Sequence, residues 1–79
     1  MAPPAILWEL RGRTGTPVTC FLYPKVGDAV RLTVRMGDKV IVSDDYFRET
    51  DALAHADFLF DDFLKDGWTE QYRRDPRSA

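Results

Sequence analysis

Apolar and polar residues alternate along the first half of the chain and adopt a helical spacing in the second. Ile6, Trp8 and Leu10 alternate with Leu7, Glu9 and Arg11, and the two-residue period of a strand places the first three on one face. Gly12-Arg13-Thr14-Gly15-Thr16-Pro17 has the glycines of a hairpin loop, and Val18 to Tyr23 follows as a second strand with Val18, Cys20 and Leu22 inward. Pro24-Lys25-Val26-Gly27-Asp28 interrupts it. The third strand, residues 29–36, is the clearest, with Val30, Leu32 and Val34 set between Arg31, Thr33 and Arg35. Gly37-Asp38 fits a two-residue type II′ turn, whose first central position needs positive φ. Lys39-Val40-Ile41-Val42-Ser43 is then a fourth strand, and a meander is the simplest pairing.

From Thr50 the period changes. At about 100° per residue, Ala52, Leu53, Ala56, Leu59, Phe60, Phe63 and Leu64 share one broad stripe, opposite Asp57, Asp61, Asp62 and Lys65. Thr50 suits the N-cap, Asp51 sits well at the positive helix end, and Gly67-Trp68 suits a Schellman stop. The predicted fold class is α+β: a four-stranded antiparallel meander, then one C-terminal amphipathic helix packed on its inward face. Residues 1–68 form this single ββββα domain. Residues 69–79 are polar, contain Pro76 and read as a tail.

A chain of 79 residues with 44% hydrophobic and 30% charged side chains suits one folded core and no second domain. Cys20 has no second cysteine to pair with, and one histidine leaves the Cys/His zinc patterns unfilled. The opening residues lack the basic and apolar regions of a signal peptide, and no stretch nears the roughly 20 apolar residues of a membrane span. The expectation is a cytoplasmic protein with no membrane partner. Charge is unevenly spread: residues 1–43 carry net +3, residues 44–70 net −7 and residues 71–79 net +2, within a total of −2. Two faces of opposite sign favour different partners, or a homo-oligomer.

Trp8-Glu9-Leu10-Arg11, Val18-Thr19-Cys20, Phe47 with the Ala52/Ala56 helix, and the closing Gly67-Trp68 together resemble small bacterial or phage-borne proteins of unknown function with a ββββα order. The resemblance spans most of the chain and implies the fold, with no activity attached. The sheet-then-helix order is also similar, as architecture, to the Whirly and PUR-repeat modules that bind single-stranded nucleic acid. No functional residue carries over from them.

Two surfaces suggest chemistry. Phe58 falls on the polar side of the predicted helix, between Ala54 and Asp62, where a bare ring calls for cover by the tail with Tyr72, by a second copy or by a partner. With Asp57, Asp61 and Asp62 it forms a candidate protein-binding surface, whose ordered carboxylates would steer a basic partner. The same surface would serve an inhibitor that mimics nucleic-acid phosphates. On the outward sheet face Arg31 and Arg35 interleave with Phe21 and Tyr23, and Thr19, Thr33 and Arg11 join them. Guanidiniums that neutralise phosphates and rings that stack on bases are the chemistry of single-stranded nucleic-acid binding.

The remaining motifs fall short of a site. His55 with Asp51 or Asp62 offers two metal ligands and no third, and Asp44-Asp45 and Asp61-Asp62 lack the alternating oxygens and glycine of a calcium loop. Cys20 faces the predicted core as an inert thiol, while Ser43 and Thr50 suit a strand end and a cap. The reading is a non-enzymatic interaction module with no catalytic residue, metal or cofactor.

Overall fold

The computed structural model describes residues 3–74. The elements run β1 (Ala5–Arg11), β2 (Pro17–Pro24), β3 (Val30–Met36), β4 (Lys39–Tyr46), α1 (Glu49–Lys65) and β5 (Thr69–Arg73). All pairings are antiparallel, and the sheet order is β4-β3-β2-β1-β5. The four-strand meander and the helix are those predicted. The turn at Gly37, φ +60, joins Met36 to Lys39 with Asp38 outside the positive-φ region, as type II′ requires.

The tail assignment is corrected from Thr69 to Arg73. The chain reverses after α1 and pairs with the otherwise open edge of β1, Trp8 opposite Arg73 and Arg11 opposite Thr69. Arg74 N donates to Leu7 O at 2.8 Å, extending the contact. An unpaired strand edge leaves a row of amides and carbonyls exposed, and β5 covers it. Residues 75–79, the rest of the predicted tail, lie outside the described residues.

The phase of β1 is also corrected. Ile6 pairs with Phe21 but Trp8 with Cys20, so Leu7 is an extra residue on this strand. An inserted residue resets the two-residue period. Ala5 and Ile6 therefore keep one phase while Trp8 and Leu10 keep the other: Ile6 turns outward, 42% exposed, and Leu7 is buried. A second bulge, in β4, shifts pairing from Arg35–Val40 to Val34–Val42.

α1 begins earlier than predicted. β4 runs on to Tyr46 and only Phe47 and Arg48 intervene, so Glu49 opens the helix and Arg48 occupies the N-cap without a side-chain capping bond. Thr50 lies inside the first turn and is not the cap. The predicted stop holds: Gly67, φ +95, donates to Leu64 O at 3.1 Å and Trp68 N to Phe63 O at 3.1 Å, the paired bonds of a Schellman motif. The Phe63 and Trp68 rings meet edge to face at 5.4 Å. Trp68 then packs on Gly12, where a Cβ would lie 3.1 Å from its ring, a tight approach that favours glycine there.

The core lies between α1 and the inner sheet face. Ala52 and Ala56, both buried, let the helix approach closely, and Phe60 fills the space beside Trp8. Trp8 meets the Phe60 and Phe63 rings at 5.8 and 6.1 Å, and its Nε1–H donates to the Ala56 carbonyl at 3.1 Å. One side chain thus ties β1 to the middle of the helix.

Candidate functional site

Two surfaces carry the predicted residues, on opposite sides of the molecule. On the solvent side of α1, Phe58 is 66% exposed whereas Phe60, two residues on, is 1% exposed. The helical period explains the contrast: two residues rotate a side chain by about 200°. Ala54, Asp61 and Asp62 are one turn from Phe58 and are exposed too. Asp57 is turned toward β5, where its carboxylate meets Arg73 at 3.4 Å. The Arg73 guanidinium lies 4.2 Å from the centre of the Phe60 ring, closing the side of the core. Phe58, Asp61 and Asp62 therefore form one patch, with Asp57 at its margin.

Tyr72 does not cover Phe58. It pairs with Glu9, which pairs with Thr19, so it joins the outer sheet face. Sequence periodicity could not place it, because all five residues of β5 are exposed and backbone pairing alone sets their phase.

The outer face, uncovered by the helix, gathers Phe21 and Tyr23 with ring centres 6.2 Å apart, together with Ile6, Val40 and Tyr72, all about half exposed or somewhat less. Arg31 and Arg35 lie on it as predicted, through their pairing with Tyr23 and Thr19. Arg31, however, is engaged by Asp45, which accepts from its Nε at 2.8 Å and from Lys25 Nζ at 3.1 Å. Those bonds, Arg31 first and Lys25 second, hold the Asp45 carboxyl down at about 2. A guanidinium so neutralised has less charge to offer a phosphate. Arg35 has no ion pair among the described residues.

His55, Tyr46 and Cys20 are held by packing and bonding inside the fold. His55 Nδ1 hydrogen-bonds the Tyr46 hydroxyl between α1 and β4, and Tyr46 is raised above the usual phenol range by burial and then by Asp44 and Asp51. Cys20 is fully buried, and burial, with a lesser contribution from Asp57, pushes its thiol up to about 12. Among the described residues no three of His, Cys, Asp and Glu converge as a metal ion would require. Among the described residues no helix is long and apolar enough to cross a membrane.

Sequence reasoning passed over Phe47 and Val26 as exposed groups; they are 93% and 94% exposed. They sit in the connections after β4 and β2, where no periodicity marks a side chain as outward. Compared with protein-family models, curated proteins and solved structures, the chain matches none.

Proposed function

We propose that this protein is a non-enzymatic interaction module that binds a second protein through the solvent side of α1, with Phe58 as anchor and Asp57, Asp61 and Asp62 as its acidic surround. The observation that carries this reading is the 66% exposure of Phe58 on a helix that buries Phe60. An aromatic ring among ordered carboxylates suits a hot spot: the ring supplies desolvated area and the charges set orientation and encounter rate. Residues 49–65 hold five acidic groups against one basic group, so the complementary surface is basic, with an apolar pocket. Helix-in-groove recognition reads anchors spaced three and four residues apart, here Ala54, Phe58, Asp61 and Asp62.

The test is affinity capture from the source cell with the wild type, Phe58→Ser and the Asp61→Asn/Asp62→Asn pair, each first confirmed folded. The reading requires one protein held by the wild type, lost with Phe58→Ser and weakened with the aspartate pair. Retention by Phe58→Ser would reject it. If an oligonucleotide competes for that partner, the acidic face acts as a nucleic-acid mimic.

A second reading, single-stranded nucleic-acid binding by the sheet face, is favoured by the arrival of Tyr72 beside Glu9 on the side that carries Phe21 and Tyr23. It predicts affinity that falls with salt and weakens in Arg31→Ala/Arg35→Ala. The Asp45 contacts of Arg31 count against it.

A further inference from the structure

We infer that the outer sheet face is a self-complementary docking surface for a second copy of this chain, the two sheets stacked about a two-fold axis that runs along β2. The inference is independent of the helix-face reading and concerns the other side of the molecule.

It starts from the strand order. With β5 in place, β2 is the middle strand of five, flanked by β1 and β3, with β5 and β4 at the edges. One row across the outer face reads Tyr72, Glu9, Thr19, Arg35, Val40, because each residue is the cross-strand partner of the next. The row is antisymmetric in charge and symmetric in character about Thr19: a carboxylate and a guanidinium on either side of it, an apolar group at either end. Rotation about β2 lays β1 of one copy over β3 of the other. Glu9 then faces Arg35 of the second copy, twice over, and Tyr72 faces its Val40.

Within one chain Glu9 and Arg35 are two strand spacings, about 10 Å, apart, and they make no ion pair with each other. Glu9 has only a marginal contact of 3.9 Å with Arg11, and Arg35 has no ion pair among the described residues. The neighbouring row places Phe21 on the axis, with Ile6 and Thr33 on its two sides, so a ring would meet its own copy over an uncharged centre. The Arg31–Asp45 pair, on β3 and β4, falls toward the rim. An axis across the strands through the Phe21 row is disfavoured, because it would set Arg35 against Arg31 of the second copy.

Size places the interface in a class. Five strands at about 4.8 Å and seven residues at about 3.3 Å give a footprint of about 550 Å². A standard interface buries about 800 Å² on each partner. A footprint below the standard size is that of a weak, concentration-dependent association.

Sedimentation equilibrium of the full chain, from about 10 μM to about 1 mM, a range in which weak association is read, tests this. Dimer should grow with concentration. Glu9→Arg and Arg35→Glu should each raise Kd about tenfold or more, since like charges then face each other, and the double exchange should return it to within about threefold of wild type. A filtered NOE spectrum of mixed labelled and unlabelled protein should connect Phe21 rings of different copies, which needs no variant to fold. Monomer at about 1 mM, or a dimer unaffected by both single exchanges and lacking those NOEs, overturns the inference. A monomer whose Phe21 and Tyr23 resonances move with a single-stranded oligonucleotide overturns it in favour of nucleic acid.

Discussion

Replacing Trp8 by Phe tests the packing that fixes the helix on the sheet. The indole is 1% exposed and its Nε1–H is bonded to Ala56 O. Phe retains the edge contacts with Phe60 and Phe63 but loses the bond, worth about 1 kcal/mol. The smaller ring gives up about 40 Å² of buried apolar surface, about 1 kcal/mol at about 25 cal/mol per Å². A cavity left unfilled adds up to about 1 kcal/mol more, so the loss is about 2–3 kcal/mol. In a domain this small each kcal/mol lowers Tm by about 4–8 °C. Urea unfolding followed by far-UV circular dichroism would measure it, with an unchanged m-value. A loss below about 1 kcal/mol, less than the bond and the surface together, would refute the argument that Trp8 ties β1 to the middle of α1.

Phe58→Ala should change stability by no more than about 0.5 kcal/mol, while Phe60→Ala should cost about 3–5 kcal/mol; paired urea titrations would show whether the exposed ring is free of structural duty. Gly67→Ala forces a Cβ into positive φ and should cost about 1 kcal/mol, read as a lower Tm with the helix otherwise intact by NMR. Cys20, its thiol pushed up to about 12 by burial, stays protonated and enclosed near about pH 8, so an aromatic disulfide reagent should label it only as fast as the domain opens. Labelling at the rate of a free thiol in the native state would contradict its burial.

The legible parts of the fold were those written in side-chain periodicity. Val30, Leu32 and Val34 alternate without interruption, and Gly37 and Gly67 mark the turn and the helix stop by conformations that other residues resist. The outward placement of Phe58 followed from its helical angle. What escaped was written in the backbone. The bulge at Leu7 reverses the phase of Ile6 through pairing with β2, and the Thr69–Arg73 strand has no buried side chain to announce it. Counting outward from the Gly37-Asp38 turn pairs Arg31 with Asp44; the bulge in β4 moves that partner to Asp45. The neutralisation of Arg31, which weakens the nucleic-acid surface, thus depends on a single inserted residue. Arg48 takes the N-cap in place of Thr50, with β4 continuing three residues beyond its expected end at Ser43, through Asp44, Asp45 and Tyr46.

The claim that the solvent side of α1 meets a partner is tested most directly by light-activated crosslinking in the source cell, with p-benzoyl-phenylalanine in place of Ala54, one turn from Phe58. The account predicts one discrete adduct heavier than a dimer of this chain or distinct from it by mass spectrometry, lost when Phe58 becomes Ser and weakened when Asp61 and Asp62 become Asn. An adduct that persists with Ser at position 58, or crosslinking no different from that of a probe placed at Thr14 on the far hairpin, would contradict it.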